Sequence, residues 1–334
     1  MKCLGLLLGL RNKMSDDAQI DKFSTLKKLL SLLCSPNSLA PLKLENESFT
    51  DVENGIQFEI NSKLIPIFAT ELSDDAQTQQ QHYDQIADAY ANNLDYPHTK
   101  EYLKYLDGIL NEVVGEESLG TCAEICCGTG EAFDLYHSQI ETGIGIDIST
   151  AMLSYAQKKH PNHLHFIQGD ATALPLKSDS FDTVIILGGI HHVPDRNNLF
   201  KEIFRVLKPG GKFIYREPVS DFWLWKFLRS IIYRISPILD HDTEAPLLFN
   251  ETVPLLDTVG FERGEWNTCG FLGFCVFMNS DVLFFNRLFR FIPGIRLITR
   301  WSAKFDAWCL SFNSLKRSGL QVVGSAIKPF ANSK

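Results

Sequence analysis

The stretch Ala123-Glu124-Ile125-Cys126-Cys127-Gly128-Thr129-Gly130-Glu131 combines an apolar run, two glycines and two acids at a spacing that can serve a ligand. It predicts the end of a buried strand, a tight turn and the first turn of a helix, where amides point outward and a missing Cβ admits a ligand to the backbone. A phosphate-binding loop would need Lys and then Ser or Thr after its last glycine, and Glu131 and Ala132 stand there. A dinucleotide turn would need glycine or alanine where Phe133 stands. Glu124 and Glu131 would repel phosphate, whereas an acidic rim suits a ligand carrying an ammonium and a sulfonium. Asp147 lies nineteen residues after Gly128, near the ~20-residue separation at which a strand-end carboxylate meets ribose hydroxyls. Its alternative role is a charge at a helix N-terminus. His191 and His192 follow a later strand, where a histidine can take a proton from a hydroxyl, a phenol or an activated carbon, or simply cap and pack.

These residues need a scaffold, and from Leu119 onward strands and helices alternate. Cys122–Cys126, Gly143–Asp147, His163–Gln168, Phe181–Leu187 and Lys212–Arg216 read as strands. Helices are expected from Glu131 to Ser138, from a Ser149 cap to Lys159, and from Asn197 to Leu207. Such alternation predicts a parallel sheet covered on both faces, with its ligand outside the strands' carboxyl ends. Two further strands are expected, one from Gly260-Phe261-Glu262 and one over Leu320–Ile327. The fold class is therefore α/β, a doubly wound, mostly parallel seven-stranded sheet.

Residues 82–218 resemble the class I S-adenosylmethionine-dependent methyltransferases, most closely the type-11 branch that includes ubiquinone and menaquinone biosynthesis enzymes. The resemblance rests on an ordered set: Glu124 to Gly130, Gly145-Ile146-Asp147-Ile148-Ser149, Gly169-Asp170-Ala171, Leu187 to His192, and Arg205-Val206-Leu207-Lys208-Pro209-Gly210-Gly211. Cys126 departs from the family's usual glycine. The resemblance implies S-adenosylmethionine as cofactor, with Glu124 near the donor's ammonium group, Cys126, Gly128 and Gly130 forming the turn, and Asp147 on the ribose. It also implies Asp170 and Ala171 on the adenine, Ile148 and Met152 lining the adenine slot, Leu187 at the end of the fourth strand, and His191 or His192 as a base. A tyrosine of the helix face Tyr83, Ile86, Ala87 and Tyr90 could close over the donor or pack on the sheet.

The flanks are less regular. Residues 1–72 read as an N-terminal helix over 15–33 and a small β unit of Pro41–Leu44, Ile56–Ile60 and Leu64–Phe68. Leu33-Cys34-Ser35-Pro36, Gly55–Ile60 and Ile65–Phe68 resemble a zinc-ribbon domain that has lost its ligands, Cys34 alone remaining. Ser73–Gln81 is polar and is expected to be a linker opening a methyltransferase domain over 73–334. Gly270–Gly319 interrupts the expected hairpin between the last two strands, and long insertions in compact domains tend to be functional. Its aromatic and basic content, densest over 281–304, suits either a helical lid packed on the domain or a peripheral contact with anionic membrane.

A formal charge of −8 disfavours broad nucleic-acid binding. Eight cysteines without a CxxC pair suggest free thiols in a reducing compartment. The apolar run Cys3–Leu10 is short and is followed by Arg11 and Lys13 in place of a cleavage site, so a cytoplasmic address with a frayed leader is expected. His160, His163 and His165 straddle a helix end and a strand and read as a surface turn, and no metal centre is expected. The expected activity is methyl transfer to the O or C of a small, hydrophobic acceptor; the alternative is a donor-binding scaffold without catalysis. A nicotinamide oxidoreductase is disfavoured by Phe133 and the acidic turn.

Overall fold

The computed structural model describes residues 26–45, 48–93, 96–160, 163–227, 245–278 and 286–330. The apolar start of the chain, most of the 15–33 helix and residues 281–285 lie outside them, as do the side chains of Ile86, Ala87 and Tyr90.

Seven strands form the main sheet: β4 (Gly120–Ile125), β5 (Ile140–Asp147), β6 (Leu164–Gln168), β7 (Phe181–Leu187), β8 (Leu207–Pro218), β9 (Glu262–Cys269) and β10 (Gln321–Ile327), in the order β6-β5-β4-β7-β8-β10-β9. The five strands from β6 to β8 are parallel, and β10 runs antiparallel to both its neighbours. Parallel strands covered on both faces explain the apolar run Val184 to Ile186, all buried, and the burial of Cys122 to Ile125, Glu124 included. One apolar core, with Leu199, Phe200 and Ile203, lies on one side; a second, with Tyr102, Leu106 and Phe133, lies on the other. The chain leaves β4 in one direction for β5 and β6, then crosses back to β7. That reversal opens a crevice at the carboxyl ends of β4 and β7, where open α/β sheets take ligands.

Helices α1 (Asp74–Asn93) and α2 (Pro97–Val114) precede the sheet, and α3 (Glu131–Tyr136), α4 (Thr150–Lys159) and α5 (Arg196–Val206) connect its strands. Ser149 caps α4, accepting from the Met152 amide at 3.2 Å. Helix α6 (Phe249–Val259) leads into β9, and the insertion holds α7 (Leu272–Phe277), a 3-10 turn (Asn286–Phe291) and α8 (Ile295–Leu310). Two sequence expectations give way here. Ser73–Gln81 is no linker, because α1 starts at Asp74 with acids in its first turn. The strand expected over Lys212–Arg216 starts earlier, at Leu207, and takes Lys208–Gly211 into β8, with a register shift between Phe181 and Thr183 of β7 taking up the extra residues.

The N-terminal unit is a three-stranded sheet of β1 (Leu42–Glu45), β2 (Ser48–Asp51) and β3 (Gln57–Glu59), of which the sequence pattern missed β2. Leu33, Phe49, Phe58 and Phe68 are buried in the same core as Ile167, Leu174 and Leu176 of the main domain. Each such side chain gains roughly 1.5–3 kcal/mol by burial. The apolar core is thus continuous across the expected 72/73 boundary. Backbone bonds reinforce the seam, with Phe68 N–H donating to Gln168 O at 2.9 Å and Gln168 N–H to Pro66 O at 2.9 Å. Cys34 donates to Leu176 O at 3.1 Å, and burial pushes its thiol up to about 11. Among the described residues no group of three or more His, Cys, Asp or Glu side chains could hold a metal ion.

Candidate active site

The chain after β4 reverses through three left-handed residues: Cys126 at φ +53°, Gly128 at +51° and Gly130 at +83°. At Gly130 a Cβ would lie 2.6 Å from His160 Nε2, so glycine is required by space as well as by backbone. His160, expected on a surface turn, instead packs its ring beside Phe133 and Phe166 under the loop. Cys126 occupies a conformation that costs an L-residue about 1–2 kcal/mol.

Glu124 is not where the resemblance implied. It is 1% exposed and does not line the cavity; its oxygens accept the Ala132 amide at 2.8 Å and the Phe133 amide at 3.2 Å. It caps α3 from beneath the turn, and burial pushes its carboxyl up to about 8. Asp147 accepts the Gly128 amide at 2.8 Å on one oxygen and the Ser149 amide at 2.9 Å on the other. Burial raises its pKa above the usual carboxylate value, against those amides. Each oxygen keeps a further lone pair for a ligand. Asp170 holds Thr172 through one oxygen, at 2.8 Å to its amide and 2.7 Å to its hydroxyl.

A cavity of about 360 Å³ opens at these strand ends. Of the expected site residues, Cys126, Gly128, Asp147, Ile148, Met152, Asp170, Ala171, Leu187 and His192 line it; Glu124, Gly130 and His191 do not. No described residue of the 270–319 insertion lines it either. The cover comes from α1, through Asp75, Ala76, Gln79 and Tyr83. Asp84 fastens that helix to α4, accepting from the Ser149 hydroxyl at 2.5 Å and the Ala151 amide at 3.2 Å. Sequence reasoning missed Asp75 and Gln79 because a polar segment with few apolar positions carries no helical stripe.

At the other end, Gly188, Gly189 and His192 form the wall. Glu217, fully buried at the end of β8, fixes this turn, accepting from the amides of Gly189 at 2.7 Å and Ile190 at 2.8 Å. His191 Nδ1 lies 2.8 Å from the same carboxylate. His192 Nε2 lies 2.8 Å from the Tyr83 hydroxyl, and its Nδ1 is buried without a hydrogen-bond partner among the described residues. Burial, then the neighbouring His191, holds its pKa down to about 2, which keeps the ring neutral and a poor proton acceptor.

Among the described residues the lining contains five acids, Asp75, Glu131, Asp147, Asp170 and Asp195, and neither Lys nor Arg. That balance disfavours a phosphate-bearing ligand and favours a cation. Gln79 Oε1 is buried with no partner among the described residues, an open acceptor on the cavity wall. An adenosine with a cationic, amine-bearing tail matches these groups: carboxylates for ribose hydroxyls and ammonium, Gln79 for an N–H, and Ile148 and Met152 for the flat base.

The family model for a methyltransferase domain matches residues 123–215. The demethylmenaquinone methyltransferase of Lactococcus lactis is 45% identical over 98 residues, covering 27% of this chain and 39% of that protein. The ubiquinone/menaquinone biosynthesis C-methyltransferase UbiE of Campylobacter jejuni is 34% identical over 173 residues, covering 45% and 73%. The chain spans about half the length of most of the curated relatives it matches. A SAM-dependent methyltransferase structure from Thermotoga maritima aligns with a TM-score of 0.51 and 20% identity over 75% of this chain and 99% of that one, a likeness of fold. With the ordered motifs, the strand order and these relatives together, the chain belongs to the class I S-adenosylmethionine-dependent methyltransferases, in their type-11 branch.

Proposed function

We propose that this protein transfers a methyl group from S-adenosylmethionine to a small, hydrophobic acceptor, at the ring carbon or hydroxyl of a quinol-like compound. The observation that carries the reading is one continuous cavity, lined at one end by Asp147 and Asp170 and at the other by Gly188, Gly189 and His192. The names of the relatives from L. lactis and C. jejuni supply the acceptor class. The bound donor supplies an electrophilic sulfonium methyl. The protein's part is to align the acceptor, exclude water and manage the acceptor's proton. Asp147 and the Gly128 backbone hold the donor's sugar side, while α1 shuts out solvent. His192 and Tyr83 orient the acceptor by hydrogen bonding, because a neutral imidazole of such low basicity does not store a proton. A quinol hydroxyl loses its proton more easily than a simple alcohol and asks less of the protein. Peripheral contact with a membrane suits a lipophilic acceptor, and a cytoplasmic address remains part of this reading.

Calorimetry separates this from a NAD-binding or ligand-free protein. S-adenosylmethionine and its demethylated product should bind and NAD should not. Asp147→Asn places an amide NH₂ against one of two backbone donors, so donor affinity should fall roughly ten- to hundredfold. Tight NAD binding without response to the other two would remove the proposal. Donor binding without methyl transfer to any quinol would favour the non-catalytic scaffold.

A further inference from the structure

The insertion between β9 and β10 buries one side of α8 and leaves the opposite side bare. Ile295, Thr299, Ala303 and Asp306 face the domain. Asp306 is fully buried and accepts from the Tyr102 hydroxyl at 2.5 Å and from the amides of Phe271, Gly273 and Phe274. Arg300 ties the helix to Glu101 of α2 at 2.7 Å. The far side carries Leu297, Ile298, Trp301, Phe305, Trp308 and, one turn beyond, Phe312, all exposed. Trp301 is 65% exposed and Trp308 58%, with Phe291 of the neighbouring 3-10 turn at 69%. A soluble surface rarely keeps so contiguous an aromatic patch uncovered.

The charges select the occupant. At 3.6 residues per turn, Arg296, Arg300 and Lys304 fall along one flank, between the buried stripe and the apolar face. Lys304 Nζ stands 5.3 Å from the Trp301 ring and the Arg290 guanidinium 4.7 Å from the Phe291 ring. Residues 288–317 contain six basic residues and a single acid, the buried Asp306, in a chain of net charge −8. A protein partner would bring no need for cations edging tryptophans. An anionic lipid surface needs both: aromatic side chains at the headgroup level and cations beside them.

We infer that α8 and the adjoining 3-10 turn form a membrane-docking face that lies in the interface of an anionic bilayer. No described helix is long and apolar enough to cross a membrane, so the contact is one of lying on the surface. The same α2 that carries α8 also reaches the cavity, because its Asp107 holds Arg216 at 2.9 Å and Arg216 pairs with Glu131 of the cavity wall. The face stands on its own geometry, and its test reads lipid with neither donor nor acceptor present.

The test is flotation of the full chain with vesicles of phosphatidylcholine alone or mixed with phosphatidylglycerol. Binding should require the anionic lipid and weaken as salt rises. Arg296→Glu/Lys304→Glu and Trp301→Gln/Trp308→Gln should each weaken it about tenfold or more, while both variants keep the parent's melting temperature. Absence of binding to anionic vesicles, or binding that neither variant alters, would overturn the inference. So would a dimer by light scattering that the tryptophan variant turns into a monomer without any vesicle binding, which would give the face to a second copy of the chain.

Discussion

Replacing Glu124 by glutamine separates a buried cap from a ligand for the donor's amine. Both carboxyl oxygens are occupied by backbone amides, at 2.8 and 3.2 Å, and burial pushes the group up to about 8 from an ordinary 4.5. Between those values the folded protein holds a proton that the unfolded chain releases. The sign follows: the contribution to stability is full below about pH 4.5, falls by about 1.4 kcal/mol per pH unit, and is gone above about pH 8, about 5 kcal/mol in all. Glu124→Gln stays neutral throughout and loses that slope. Urea unfolding of both proteins from about pH 5 to about pH 8 should show the parent losing roughly 4 kcal/mol relative to the variant. Parallel curves would refute a buried, protonated carboxyl. Calorimetry with S-adenosylmethionine on the same variant gives the second reading. A cap should change donor affinity by less than about threefold, whereas a lost partner for the ammonium would cost roughly ten- to hundredfold.

Gly130→Ala should destabilise the fold by at least about 2 kcal/mol in urea unfolding, since the new Cβ meets His160 Nε2 at 2.6 Å with φ at +83°. A stability within error of the parent would mean that the turn is looser than its geometry. Tyr83→Phe removes the hydroxyl 2.8 Å from His192 Nε2. Turnover with a quinol acceptor should fall about tenfold while donor affinity holds within about threefold, and unchanged turnover would take Tyr83 out of the acceptor site.

The central sheet was legible because its strands are buried on both faces and their carboxyl ends carry Gly128, Asp147 and Asp170 in chain order. The Ser149 cap stands where capping chemistry puts it. Glu124 was misplaced for a physical reason. Sequence spacing shows an acid beside a turn, but whether it points up to a ligand or down to helix amides depends on strand pleat. Glu217 went unnoticed because a lone acid before a proline carries no motif, although its burial makes it the anchor of the Gly189–His191 turn. Asp75 and Gln79 were invisible since α1 is polar along that stretch. The sequence left the insertion as either a lid packed on the domain or a membrane contact; which of its faces Asp306 and Arg300 seat depends on tertiary packing that periodicity does not encode.

Helix α1 spans roughly 30 Å by its twenty residues and is fastened near its middle by two consecutive residues, Asp84 to the cap of α4 and Tyr83 to His192. Neighbouring residues on one helical turn move together, so the bond to α4 and the bond to His192 act as one anchor. On the proposed function, admitting the donor loosens the acceptor's wall, and reseating the helix restores both together. The two substrates meet a single gate, so the kinetics should be sequential, with a ternary complex formed behind one closed helix instead of two independently opening pockets.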